Sequence, residues 1–515
     1  MKTNIHSLII FFIGIILTAL SCNTDKKEVD YSLGEIELEI SGNDKAKAAF
    51  KKGMLLLHSF EYADARDEFI KAQEADPEFA LAYWGEAMTY NHPLWRYQDY
   101  EKGSAVMKEM LEKGKLSDIT ELERDLIESI KYLYKSGYPK NERDQMYSDF
   151  LNKMSDKYKD NQEVNAFYSL SLLGKVKTPR DYEIFGQAAA AAKEVLKVNP
   201  RHPGALHYLI HSYDDPEHAR LAIEAANNYS KVAPDAAHAL HMPSHIYVAL
   251  GMWDAVVEAN EKSYQASVDR KNRKGLDNDA RGYHSFHWLQ YGYLQQGRVD
   301  EAKKMVENMQ QYTAEKPSER AREHLVFLKG TYLVETDDYD SEIADIKVDV
   351  KDLNISVRAQ YYFSEGYKGY FNNDESQIDK YIDVIVREWS ADKSKVSDYG
   401  IALCKGETDG MVRQSDIDLA KSMECQLKGL KAWMNGNQVD TEKWLLKSIE
   451  FEEMAGFNYG PPVVQKPSYE LYADWLVSQN RFDEAYIYFE KTLKKHPNRT
   501  IAKEAKEELS YTKTM

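Results

Sequence analysis

Histidine is the residue whose spacing in this chain could carry chemistry. Fourteen are present, and ten of them fall between His202 and His324. His207 and His211 are four residues apart, His241 and His245 repeat that interval, and the second pair follows the first by 34 residues. On a helix an i, i+4 pair places two imidazoles one turn apart on a single face. Two such pairs on adjacent helices supply the donors that bind Zn, Cu, Ni or Fe, which makes His207, His211, His241 and His245 candidate metal ligands with Asp215 close by. The spacing fixes no third ligand, and a real centre also needs groups that orient its ligands. Imidazoles can equally be hydrogen-bonded packing groups in helix seams. A third use is a groove for an organic, glycan or peptide ligand.

The elements that must position these side chains follow from the period. Pro200 and Pro234 are 34 apart, as are Gly53 and Ala87, and His58 and His92. Small residues at Gly53, Ala65 and Ala72, a larger apolar one at Phe69, and the stop at Asp76-Pro77 suit a helix-turn-helix unit whose two helices cross closely. Ala485, Phe489, Thr492 and Pro497 restore that pattern near the C-terminus. With Pro200 and Pro234 as position 32, His207 and His241 take position 5, His211 and His245 position 9, and His238 position 2. With Gly297 as position 15 of a later unit, His284 takes position 2, His287 position 5 and Tyr291 position 9. These positions form one stripe of a first helix. Asp214 and Asp215 extend it at positions 12 and 13, and His58 and His92 also fall at position 13.

The chain therefore reads as all-α, a solenoid of helix pairs of the tetratricopeptide-repeat (TPR) type over residues 44–515. The clearest units span 46–79, 80–92 onward, 203–236, 237–270, 283–316 and 466–499. Degenerate units fill Pro93 to Asp160 and about Asp337 to Ser422. Gly251 and Gly297 are 46 apart, so about 12 residues are inserted near Lys271 to Asp279, a polar segment expected to be a loop. Pro243 falls inside a first helix, where it must delay or kink the helix and bring His238 and His241 in from a non-helical segment. Gly460-Pro461-Pro462 through Pro467 bars a helix and is expected to redirect the superhelix.

Several strings resemble a group of bacterial histidine-rich TPR proteins of undefined biochemical role. They are Leu57-His58-Ser59-Phe60, Ala82-Tyr83-Trp84-Gly85-Glu86-Ala87, Asn91-His92-Pro93-Leu94-Trp95, His202-Pro203-Gly204-Ala205-Leu206-His207-Tyr208 and His241-Met242-Pro243-Ser244-His245-Ile246. The resemblance runs from about Asn43 to Pro497 and implies the TPR fold, in which the histidine stripe lines a concave groove, with Trp84 and Met88 among its residues. A likeness of general plan alone extends to helical TPR lipoproteins that assist glycan capture in polysaccharide utilisation. The expected ligand-binding residues are thus His58, Trp84, His92, His207, His211, Asp215, His238, His241, His245, His284, His287 and Tyr291.

Composition narrows the partners. Lys and Arg number 67 against 84 Asp and Glu, a net charge of -17, which disfavours nucleic acid and anionic lipid surfaces. Residues 1–21 read as a signal peptide: Lys2 precedes an apolar run from Leu8 to Leu20 that is too short to span a bilayer. Ala19-Leu20-Ser21-Cys22 resembles a lipoprotein cleavage box, which implies acylation (palmitate) at Cys22, a tether over 22–43, and, with Asn23 following, an outer-membrane address by lipid anchor alone. Cys404 and Cys425 remain, to pair in an oxidising compartment or to stay as buried thiols. No nucleophile elbow, phosphate loop or paired catalytic carboxylates are present, and a repeat surface favours binding, so the expectation is an exported scaffold without catalysis.

Overall fold

The computed structural model describes residues 32–178, 180–397 and 411–512. The signal run and Cys22 lie outside them, as does Cys404, the expected partner of Cys425. Cys425 itself is buried in the helix Gln414–Met434, and burial pushes its thiol up to about 12.

Apart from a two-stranded antiparallel ribbon that pairs Asn91 with Gln98, the described chain is a succession of antiparallel helix pairs, a TPR-type solenoid. The first pair, Asp44–His58 and Tyr62–Ala75, shows why the repeat residues are there. Asn43 caps the first helix by accepting from the Ala46 amide at 3.0 Å, and Asp76 ends the second in extended backbone ahead of Pro77. Phe69 fills the seam, and a Cβ on Gly53 would come within 2.8 Å of its ring. The helix Phe482–Lys495 buries Ala485, Phe489 and Thr492 in the same way. Among the described residues no helix is long and apolar enough to cross a membrane.

Two local expectations are corrected. The segment near Lys271 is not all loop, because the helix Trp253–Lys274 runs 22 residues before Gly275 ends it at φ 64°. Arg270 and Lys274, one turn apart, share the Asp64 carboxylate of the first repeat, which holds the extra turns in place. Pro243 interrupts hydrogen bonding between the helices Ala237–His241 and Pro243–Ala249, yet Met242 keeps helical angles (φ -53°, ψ -37°). His238 and His241 therefore project from helix.

Contacts distant in sequence bring the ends of the array onto its middle. Asp64 meets Arg270, and the buried Arg499 guanidinium binds Glu470 at 2.6 Å while also reaching Glu335 and Tyr291. The extended stretch after Gly456 packs inward, with Val463, Val464 and Gln465 buried. It does not merely redirect the array, because Gly460 (φ 83°) leaves no room for a Cβ against Trp288. Part of the histidine stripe is thus covered, and the concave groove expected from the repeat register is narrowed to a cleft lined by His238, His241 and His284.

Candidate functional site

Six imidazoles converge beneath this cover. His207 and His211 come from the helix Pro203–Ser212, His238 and His241 from Ala237–His241, His245 from Pro243–Ala249 and His284 from Tyr283–Gln295. His207, His211, His241 and His245 are each at most 2% exposed. Adjacent rings lie 4.7 to 5.6 Å apart between His241 and His284, His241 and His245, and His211 and His245.

The hydrogen bonds fix which nitrogens carry lone pairs. Asn260 donates its Nδ2 to the Val256 carbonyl at 2.8 Å, so its Oδ1, 2.7 Å from His241 Nδ1, must accept an N–H. Asp214 Oδ2 accepts from His245 Nδ1 at 2.5 Å, and the His58 carbonyl accepts from His207 Nδ1 at 2.7 Å. Each of these three rings, when neutral, keeps a bare Nε2. His241 Nε2, His245 Nε2, His284 Nε2 and both nitrogens of His211 have no hydrogen-bond partner among the described residues. A buried polar atom left so costs about 1–3 kcal/mol. Burial, reinforced by neighbouring imidazoles, holds His207, His211, His238 and His284 well below the ordinary imidazole value and pushes His241 down to about 3, so all five stay neutral and able to donate lone pairs.

Two three-imidazole groupings have their ligand atoms within 4.8 Å of one another, His241 with His245 and His284, and His207 with His211 and His238. Neutral imidazole suits Zn, Cu, Ni and Fe, and three protein ligands leave a tetrahedral ion one open position. His238, His241 and His284 also line a cleft of about 520 Å³ together with Phe60, Trp95 and Arg281. Glu61, on the same cleft, accepts from the His238 amide at 3.0 Å, and burial raises its carboxyl toward the neutral form. Phe60 adopts a left-handed backbone (φ 55°), uncommon for an aromatic residue, which lays its ring 4.3 Å from that of His207.

The other expected residues sit elsewhere. Asp215 bonds Arg180 and His218, while its neighbour Asp214 reaches His245. His58 and His202 clamp Glu163 at 2.8 and 3.1 Å in a fully buried triad. Burial opposes ionisation of Glu163, but the two imidazoles outweigh it and hold the carboxylate below its usual range. Trp84 is core, edge-on to Phe167, and His92 stacks on Tyr62 at 3.7 Å. His287 meets Thr331 and Phe327, and Tyr291 bonds Arg499. Asn260 and Glu61 carry no signal in the sequence pattern, since each belongs to the site only through packing, whereas Asp214 extends the stripe at position 12.

No protein-family model matches the chain, and no curated protein matches it. Solved helical structures resemble it in outline. Yeast Tom70 is 10% identical over 92% of this chain and 90% of its own, with a TM-score of 0.32. Human IFIT1, a dimer with m7Gppp-AAAA, is 13% identical over 93% of this chain and 97% of its own, with a TM-score of 0.36. At those scores the likeness carries nothing about a ligand.

Proposed function

We propose that this chain is a transition-metal-binding protein, its ion held by the Nε2 atoms of His241, His245 and His284. One observation carries the reading. Three imidazoles whose Nε2 atoms have no partner among the described residues bring a ligand nitrogen each within 4.8 Å of the others, and two of the rings are oriented by bonds from the opposite nitrogen to Asn260 and Asp214. Ligand histidines are held this way, because a fixed Nδ1–H sets both tautomer and ring direction. A satisfied packing histidine shows the contrary pattern, as His58 does with Tyr208 and Glu163. The open position on the ion gives the cleft a function: a small molecule entering it can reach the metal. The reading also places the protein outside the cytoplasm, lipid-anchored through Cys22 at the outer membrane, on the strength of the N-terminal sequence.

Titration calorimetry of the metal-stripped protein with Zn, Cu and Ni tests the site. Wild type should bind at least one of them, and His245→Ala should weaken that binding by tenfold or more with helicity kept. Binding that survives His241→Ala, His245→Ala and His284→Ala alike would exclude these residues.

A further inference from the structure

The repeat register places a second three-imidazole site beside the first. His241 and His245 stand at positions 5 and 9 of their repeat, and His284 at position 2 of the repeat that follows. Subtracting one repeat gives His207 and His211 at positions 5 and 9, with His238 at position 2 of the repeat that follows. The structure brings that set together as well, with ligand atoms inside 4.8 Å. His238 Nε2 donates to the bare His207 Nε2 at 3.2 Å, a contact that an ion between the two nitrogens would replace once the His238 proton moves to its Nδ1. Two nitrogens bound at about 2.0–2.1 Å to one tetrahedral ion stand about 3.3 Å apart, so the pair already has the spacing of co-ligands. His207 is aimed by its Nδ1 bond to the His58 carbonyl, the counterpart of Asn260 for His241. His211, 1% exposed, has both nitrogens without a partner among the described residues. The two sets abut, because the His211 and His245 rings are 5.6 Å apart and the His238 and His241 rings 6.2 Å.

We infer that the chain binds two neighbouring transition-metal ions, one in each repeat-related set, with His238 of one set and His241 and His284 of the other at the wall of the same cleft. This rests on the metal-binding reading and extends it. Imidazole ligands bring no negative charge to balance two divalent ions, so such a pair would favour an anionic oxygen ligand, hydroxide or a carboxylate, from the cleft. Paired ions in proteins stand about 3.5–4 Å apart.

The test uses Cu(II) on the full metal-free chain and reads stoichiometry together with electron paramagnetic resonance. Two equivalents should bind, with the integrated signal well under two spins or broadened by coupling. His211→Asn and His284→Asn, each checked for helicity, should reduce uptake to one equivalent and give an ordinary uncoupled single-ion spectrum. One equivalent in wild type with a full uncoupled signal overturns the pair and leaves the mononuclear reading standing. Two equivalents without coupling also overturn it, by placing the second ion elsewhere, and no uptake at all removes both readings. The wild-type result decides even if a variant fails to fold.

Discussion

The sharpest consequence of the geometry separates two adjacent aspartates. Asp214 accepts from His245 Nδ1 at 2.5 Å with both side chains at most 2% exposed, whereas Asp215 points away to Arg180 and His218. Removing a carboxylate that orients a ligand histidine lowers metal affinity by about 10–100-fold, or about 1.4–2.7 kcal/mol. Asp214→Ala should show that loss, and Asp214→Asn, whose amide oxygen still accepts from Nδ1, should fall at its lower end. The effect is readable as thermal stability. At a metal concentration a hundredfold above the wild-type Kd, binding stabilises wild type by about 2.7 kcal/mol. A tenfold weaker variant gains about 1.4 kcal/mol under the same conditions, and a hundredfold weaker one about 0.4 kcal/mol. Denaturant unfolding with and without metal measures the difference and cancels any change in the metal-free protein. Asp215→Ala, losing contacts to Arg180, His218 and the Glu217 amide and none to a proposed ligand, should keep the full wild-type increment. If Asp214→Ala retains it, or if Asp215→Ala loses as much, the orientation argument is wrong.

Trp288 lies 4.4 Å from the His245 ring and 4.9 Å from His241, so Cu(II) should quench its fluorescence where Zn(II) does not, and Trp288→Phe should reduce the total quenching, leaving that of Trp95, 6.0 Å from the His238 ring. His324, which is not among the proposed ligands, is held neutral to about 3 chiefly by burial and also by the Arg320 charge, with His287 nearby. Its folded value lies below its unfolded one, so its contribution is intact above about 6.5 and is lost as pH falls toward 3, at about 1.4 kcal/mol per pH unit. His324→Gln should accordingly flatten the fall in stability between pH 6 and 4.5, and an unchanged slope would contradict the assignment. Metabolic labelling should place an acyl chain on wild type and none on Cys22→Ser; membrane association that persists without Cys22 would end the lipid-anchor reading.

Much of the architecture is legible in the chain because a repeat announces itself by interval. The 34-residue step and the i, i+4 pairs by themselves put His207 with His211, and His241 with His245, on single helix faces. What the interval does not contain is the cover. Gly460 seating against Trp288, and Arg270 reaching back to Asp64, are contacts over 172 and 206 residues that no local pattern encodes. They bury part of a groove-facing stripe and leave His238, His241 and His284 on a cleft. The choice of Asp214 over Asp215 fails for a different reason. The helix ends at Ser212, so helical position-counting no longer governs direction at the next residues. Asn260 reaches His241 from a neighbouring helix 19 residues on, and Phe60 takes a backbone conformation that its residue type disfavours.

The central claim is that the buried imidazoles hold metal, and the most direct measurement is the metal content of the protein itself. Mature protein purified without any metal-affinity step should be assayed by elemental mass spectrometry before and after dialysis against chelator. The account predicts a near-stoichiometric or greater content of Zn, Cu, Ni or Fe. Chelator should remove it, added metal should restore it, and His241→Ala with His245→Ala should lower it. Protein that carries no transition metal as isolated, takes none up, and shows no change in unfolding midpoint when Zn, Cu, Ni or Fe is added would contradict it.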